Sequence, residues 1–174
     1  MSRKLILYIA TSLDGYIAGL NDDLSFLSIV QKEGEDYGYE DFVKTIDTVI
    51  LGRKTYDWVI KNAGELSYHN KQVYVITNHA MEGLKNTNSY NGDLRTLVEN
   101  LKLQEGKDIF CDGGADIVNQ LLQSNLIDEI VISIVPILLG NGKKLFQDGR
   151  PEQTLQLVNT NVFDTGLVQL TYRK

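Results

Sequence analysis

The stretch DIFCDGGADIVNQLLQS, residues 108–124, decides the fold that we predict for this chain. Its apolar run 109–111 is followed by Asp112, Gly113 and Gly114. After the glycines, apolar residues recur at helical spacing: Ile117, Val118, Leu121 and Leu122. This order predicts a strand, a glycine turn and a helix. Two glycines let the backbone approach a ligand, and the first amides of a helix suit a phosphate, although a tight turn without a ligand fits the same residues. Neither G-x-G-x-x-G nor G-x-x-x-x-G-K-[ST] is present.

Composition limits the classes of protein that this chain can represent. Its 174 residues, 43% of them hydrophobic and only 2 proline, predict a single ordered domain spanning residues 1–174. The net charge of -6 argues against binding to nucleic acids or anionic membranes, because both need a basic surface. Cys111 is the only cysteine, so we expect no intrachain disulfide, no cysteine-based zinc site and a cytoplasmic location. The first apolar run ends at Ala10, too short for a signal peptide, and no later run reaches membrane-spanning length.

Apolar runs alternate with helical patterns along most of the chain. Buried strands are predicted at 5–10, 48–52 and 72–77, and Asp93 is a good N-cap for a helix after them. The β-rich run 127–139 follows the glycine unit, and two further strands are predicted on either side of a turn at 164–166. We therefore predict an α/β fold with three layers, α/β/α, in which a mixed, mostly parallel sheet ends in a C-terminal antiparallel hairpin.

The second strand also leads through a glycine into a helix. Here Gly52 is followed by Arg53, Lys54 and Thr55. Cations are unfavourable at a helix N-terminus because they add to the positive end of the helix dipole. Their presence favours an anion-binding site over an ordinary turn.

A tyrosine-rich segment at 35–42 allows two interpretations. Tyrosines beside a carboxylate could stack on a flat heterocycle and protonate it. Such a segment is also typical of a solvated helix with aromatic rings packed beneath it.

Four motifs in this order resemble a known family. They are SLDGYIA at 12–18, LGRKTY at 51–56, DGGA at 112–115 and VPILLGNG at 135–142. Together they resemble the RibD C-terminal family, the reductase domain of the bacterial riboflavin-biosynthesis deaminase-reductase, which has the dihydrofolate-reductase-like fold. The resemblance covers almost the whole chain.

The resemblance implies an NADPH-dependent reductase that acts on a small-molecule substrate. It places the NADPH phosphates at Gly52, Arg53, Lys54 and Thr55, with Arg53 or Lys54 near the 2′-phosphate. It implies further cofactor contacts at the following residues: Thr77 and Asn78 at the adenosine end, Gly113, Gly114, Ala115 and Asp116 at the pyrophosphate, and Ala10 and Ile17 at the nicotinamide. The substrate would enter near the helix at 37–42.

The catalytic proton donor is predicted by an ungapped count. Dihydrofolate reductases carry a carboxylate on the helix before the G-R-x-T motif, and the same distance before Gly52 is Asp36. A buried carboxyl beside a flat ring would have the raised pKa that a general acid needs. Glu40 and Asp41 are alternatives to Asp36.

The resemblance leaves the activity open between three alternatives. The activity that the family implies is reduction of 5-amino-6-(5-phosphoribosylamino)uracil, while dihydrofolate reduction and a nucleotide-binding module without turnover are the alternatives. One cysteine cannot supply the zinc deaminase signature P-C-x-x-C, so the chain would be the reductase part alone. We expect a homodimer through the β-rich C-terminal third.

Overall fold

Strand β1, Leu5–Ser12, lies in the centre of the sheet, as its continuous apolar run predicts. The computed structural model describes residues 2–81 and 86–174. Both neighbours of β1, which are β6 (Asp108–Gly113) and β7 (Glu129–Val135), run parallel to it. Because helices cover both faces at this position, the strand is buried on both sides and needs no polar face.

The described residues form ten strands and four α-helices. The remaining strands are β2 (Tyr16–Ala18), β3 (Ile46–Gly52), β4 (Gln72–Ile76), β5 (Thr87–Tyr90), β8 (Lys143–Lys144), β9 (Gln156–Val162) and β10 (Val168–Arg173). The helices are α1 (Tyr39–Thr45), α2 (Arg53–Ala63), α3 (Leu94–Leu103) and α4 (Ala115–Gln123), and 3₁₀ helices occupy Leu20–Asp22 and Ser25–Val30.

Eight of the strands form one mixed sheet in the order β5-β4-β3-β6-β1-β7-β10-β9. The six strands from β5 to β7 are parallel. Strand β10 is antiparallel to β7 and to β9, so the predicted C-terminal hairpin closes this edge. The sheet is therefore mixed and mostly parallel, as predicted.

Two hydrophobic clusters make the structure three-layered. Helices α3 and α4 pack on one face through a cluster that includes Leu97, Val118 and Leu121. On the other face, α1 and α2 pack against Val49, Phe110 and their neighbours. The chain thus confirms the predicted α/β/α fold class.

Some element boundaries differ from the prediction. The run 127–139 is a strand only as far as Val135, because Pro136 has no N–H to continue the ladder. Strand β6 extends through Asp112 and Gly113, which the sequence assigned to the turn. The helix predicted at 37–42 begins at Tyr39, since Tyr37 and Gly38 have positive φ angles. A 3₁₀ helix occupies the helix-like segment around Phe26.

Candidate active site

A cleft of about 600 Å³ lies at the carboxyl ends of the central strands. Strands β3 and β6 are neighbours, and each continues into a helix through a glycine turn that borders this cleft. The two turns touch, because a Cβ on Gly114 would lie 3.2 Å from the Oγ1 atom of Thr55. Ligands of parallel α/β sheets bind at this edge, so the cleft is the candidate site.

The two helices that begin at the cleft have free N-terminal amides. Helix α2 begins after Gly52 and α4 after Gly114, and neither glycine provides a side chain to cap the helix. Helix α3, by contrast, has a side-chain cap. Asp93 accepts a hydrogen bond of 2.8 Å from the amide of Thr96 in α3. Because the first amides of a helix require partners, an anionic ligand in the cleft would satisfy those of α2 and α4.

The first turn of α2 supplies two cations to the cleft. Arg53 Nε donates to Asp57 Oδ1 at 2.7 Å along the helix, so this guanidinium is partly neutralised. Lys54 is exposed, and among residues 2–81 and 86–174 it has no ion-pair partner. The positive charge that the sequence placed here therefore faces the cleft and remains available to a phosphate.

The glycine turn of β6 is shaped for close approach of a ligand. Gly113 has a φ of +102°, a conformation that favours glycine, and Gly114 follows it through a cis peptide bond. The missing side chains leave the backbone of the turn open beside the cations of α2. An elongated, multiply charged anion such as a dinucleotide pyrophosphate fits this pair of turns.

Most of the predicted cofactor residues border this one cleft. They are Ala10, Ile17, Gly52, Arg53, Lys54, Thr55, Gly114, Ala115 and Asp116. Gly113 lies between two residues that line the cleft. Thr77 is buried one residue beyond Ile76, the register partner of Gly52, and Asn78 is exposed after it. Neither of these two lines the cleft, and their predicted place at the adenosine end remains a prediction.

Asp36 is exposed and does not line the cleft; it borders an adjoining cavity of about 500 Å³ that shares Tyr8 and Ala10 with the cleft. Its carboxylate accepts hydrogen bonds from the amides of Gly38 at 3.0 Å and Glu40 at 2.8 Å, at the start of α1. These bonds, the one from Glu40 foremost, lower the pKa of Asp36 below its usual value. The burial and raised pKa expected of a general acid are not found there, and the catalytic role of Asp36 stays a prediction.

A different carboxyl, that of Asp112, has the expected environment. It lines the cleft at the end of β6, and burial raises its pKa to about 6, while a hydrogen bond from Tyr68 at 3.0 Å partly offsets this rise. The sequence analysis quoted Asp112 only as part of the glycine motif. The signal available in the sequence was a carboxylate between a buried apolar run and a glycine turn that suits a ligand.

Aromatic side chains form the wall of the cleft next to Asp112. Tyr8, Tyr39 and Phe110 line it, and Phe42 stacks on Tyr8 with ring centroids 4.5 Å apart. The hydroxyl of Tyr8 donates to the carbonyl of Tyr37 at 2.8 Å, so its proton is already engaged. The tyrosine-rich segment therefore contributes a flat apolar surface, and among the residues of this wall Asp112 has the pKa suited to proton transfer.

Comparison with known proteins places these motifs in a family. The sequence matches the RibD C-terminal domain over residues 3–169. It is 39% identical to the uncharacterized protein YwjB of Bacillus subtilis (strain 168) over 142 residues, and this alignment covers 81% of each chain. A putative riboflavin biosynthesis protein from Shewanella sp. PV-4 superposes with a TM-score of 0.89 and 30% identity, covering 99% of this chain and 98% of that one.

A more distantly related enzyme has the same fold. Dihydrofolate reductase from Enterococcus faecalis superposes with a TM-score of 0.68 at 15% identity, covering 99% of this chain and 98% of the reductase. Such low identity shows a shared fold and not a shared substrate. The family match supports a reductase-like role for the chain. On its sequence and its structure, the chain belongs to the RibD C-terminal domain family and has the dihydrofolate-reductase-like fold.

Proposed function

We propose that this protein is an NADPH-dependent reductase that transfers a hydride to a carbon–nitrogen double bond in a small heterocyclic or ribosylamino substrate. Reduction of 5-amino-6-(5-phosphoribosylamino)uracil is the activity that the family implies. One observation carries the proposal. A single cleft joins the uncapped turns of α2 and α4 to a half-buried carboxyl, that of Asp112, whose pKa is raised to about 6.

The cofactor half of the cleft is formed by the two turns. The uncapped amides after Gly52 and Gly114 would hold the pyrophosphate, and Arg53 or Lys54 would contact the 2′-phosphate. The nicotinamide would lie along Ala10 and Ile17, which line the same cleft. When bound, NADPH supplies the hydride, and the protein supplies orientation and electrostatics.

The substrate half of the cleft has groups that can donate a proton to the substrate and hold its ring. Reduction of C=N to CH–NH takes one hydride at carbon and one proton at nitrogen. Asp112, when protonated, would give that proton, and Tyr39 and Phe110 would hold the flat ring against it. With a pKa near 6, a substantial fraction of Asp112 keeps its proton close to neutral pH, which an exposed carboxyl would not do.

A titration with NADPH and NADH, followed by nicotinamide fluorescence, tests the cofactor site. We expect clear preference for NADPH. Steady-state NADPH oxidation with the pyrimidine and with dihydrofolate then separates the two reductase activities. Tight antifolate binding and loss of activity in Asp36→Asn would favour dihydrofolate reduction. NADPH binding without oxidation of any pteridine or pyrimidine would favour the module without turnover, and failure to bind either nucleotide would overturn the cofactor assignment.

We also propose a homodimer through the C-terminal hairpin. Strand β9 is exposed along its length, with Leu157 51% and Val162 75% exposed. These two residues pair with Tyr172 and Val168 of β10, and Tyr172 packs at the border of the cluster beneath α3 and α4. The apolar face of the sheet that α3 and α4 cover thus extends to β9, which is exposed. The seven residues of β9 carry no charge, so two copies of an acidic chain could meet there without repulsion.

Light scattering after gel filtration would measure this assembly. We expect a dimer that the double change Leu157→Ser and Val162→Ser converts to a monomer. The matched control changes Asn159 and Asn161 to serine, since Asn161 lies on the alternate face of the same strand and Asn159 adjoins the register shift of the hairpin. A monomeric wild type would refute the dimer, and equal loss with the control pair would indicate pairing through the strand edge instead.

Among residues 2–81 and 86–174, no helix has the length and apolar character that crossing a bilayer requires. Cys111, the single cysteine of the sequence, is buried in β6. A reducing compartment is compatible with a buried free thiol, and we propose a cytoplasmic location.

A further inference from the structure

Three ionisable side chains from three separate segments form a hydrogen-bonded chain beside the cleft. Asp112 is the penultimate residue of β6, Tyr39 begins α1, and Tyr68 lies in the connection between α2 and β4. The hydroxyl of Tyr68 donates to Oδ2 of Asp112 at 3.0 Å. The hydroxyl of Tyr39 lies 3.3 Å from that of Tyr68. Both ends of this chain line the cleft, while Tyr68 stands behind them.

The number of hydroxyl hydrogens determines which group donates at each step of this hydrogen-bonded chain. A phenol has one hydrogen to donate, and that of Tyr68 goes to Asp112. Tyr39 must therefore donate to Tyr68, which leaves the single hydrogen of Tyr68 directed at the carboxyl. Burial raises the pKa values of both tyrosines above their usual range, so both keep their protons near neutral pH.

The hydroxyl of Tyr68 is held in place by packing. Its ring meets Phe110 edge to face, with centroids 6.1 Å apart, and the same Phe110 ring meets Tyr39 at 6.5 Å. The carbonyl of Tyr68 accepts a hydrogen bond of 3.0 Å from the amide of Lys71. A donor fixed on both ring and backbone can define the orientation of the carboxyl that it contacts.

The two oxygens of Asp112 thus have different surroundings. Oδ2 is occupied by Tyr68. Oδ1 has no hydrogen-bond partner among the side chains and backbone of the described residues, and it is not sealed from solvent. A proton on Asp112 is therefore expected on Oδ1, the oxygen that can face a bound substrate.

We propose that Tyr68 is a positioning residue for Asp112: it holds Oδ2, so that Oδ1 presents its proton to the substrate, and Tyr39 fixes the direction in which Tyr68 donates. This inference rests on the proposed role of Asp112 as the proton donor. The titratable groups around the carboxyl are Tyr68 from its loop and Tyr39 from α1, whereas Cys111, the preceding residue of its own strand, packs in the cluster beneath α3 and α4. Charged residues on the rest of the cleft wall are Arg53, Lys54, Asp116 and the ion pair of Asp22 with Lys143.

The first test needs no substrate. The carboxyl carbon of Asp112, labelled with ¹³C, is titrated by NMR in wild type and in Tyr68→Phe, which keeps the ring and removes the hydroxyl. Because the hydrogen bond from Tyr68 lowers the pKa of Asp112, its loss is expected to move the midpoint upward by about one unit, a tenfold change in proton affinity. Tyr39→Phe should give a smaller upward shift. Tyr172→Phe, a partly buried tyrosine on β10, is the control and should give none.

The second test measures turnover. In Tyr68→Phe we expect kcat to fall about tenfold with the KM for NADPH unchanged, and the pH dependence of kcat to shift with the NMR midpoint. An unmoved midpoint in Tyr68→Phe would overturn the inference, and if that variant does not fold, an unmoved midpoint in Tyr39→Phe would do so. If Asp112→Asn retains full turnover, the proposed proton donor itself is wrong, a failure distinct from that of Tyr68.

Discussion

The turns after β3 and β6 share a backbone plan and differ in chemistry. Both end a buried strand at a glycine and begin an uncapped helix at the edge of one cleft. The turn of α2 carries the cations Arg53 and Lys54, and Lys54 is exposed, whereas the turn of α4 is preceded by the half-buried Asp112, whose pKa is raised by desolvation. On the proposed assignment, the same local fold supplies a phosphate site on one strand and a proton donor on the next. The difference in solvent exposure, and not the turn itself, would separate the two roles.

The largest effect on turnover is expected from removing the proposed proton donor before the α4 turn. Asp112→Asn should lower kcat by about 10²- to 10⁴-fold, because an amide cannot donate the catalytic proton. NADPH affinity should change little. Steady-state kinetics and fluorescence titration measure the two quantities, and Asp116→Asn, in the first turn of α4, is the control for a simple change of charge.

Wild-type kcat should fall as the pH rises through about 6, where Asp112 loses its proton.

The next effect concerns the α2 turn. Arg53→Ala, and in parallel Lys54→Ala, should weaken NADPH binding by about 10- to 100-fold and NADH binding much less, since a lost charged contact costs about 1.5–3 kcal/mol. Gly114→Ala should weaken both cofactors alike, because its Cβ would approach Thr55 Oγ1 at 3.2 Å, beside the pyrophosphate that both share. Equal loss of both cofactors in Arg53→Ala would remove Arg53 from the 2′-phosphate site.

The stability of the fold should report the burial of Asp112. Its pKa rises from 3.8 to about 6 on folding, so the folded state holds the proton more tightly. The stabilisation is fully present below about pH 4 and is lost as the pH rises to about 6. Across that range the unfolding free energy of wild type should drop relative to Asp112→Asn by about 2 kcal/mol, less than the full pKa difference because the residue is partly exposed. Urea unfolding at pH 4 and pH 8 provides the measurement, and equal changes in both proteins would contradict it.

The smallest expected effect is at Asp36. Its carboxylate accepts hydrogen bonds from two exposed amides of α1, and asparagine accepts similar bonds. Asp36→Asn should therefore change kcat less than about twofold when assayed beside Asp112→Asn. A loss of 10²-fold or more would return the role of general acid to Asp36 and remove it from Asp112.

Much of the fold followed from local pattern. Buried strands are predicted by continuous apolar runs such as Leu5–Ala10, and the N-cap role of Asp93 follows from its side chain and position. The positions of strand ends were less certain, because Asp112 and Gly113 lack the apolar character of a strand. Gly113 belongs to the strand through its pairing with Leu51 of β3, and Asp112 lies at a register shift in that ladder. The count that led to Asp36 assumed a helix of fixed length before Gly52, and the positive φ angles of Tyr37 and Gly38 show that α1 begins later.

The sequence by itself determined the order of the strands and helices, the family, and the cations that follow Gly52, because each depends on residues close together in the chain. Only the tertiary structure decided which carboxyl has a raised pKa. Asp36 and Asp112 look alike in sequence, but one binds exposed amides and the other lies beside Tyr68, 44 residues away in the chain. A pKa depends on desolvation and on partners that folding brings together, and no local pattern contains that information.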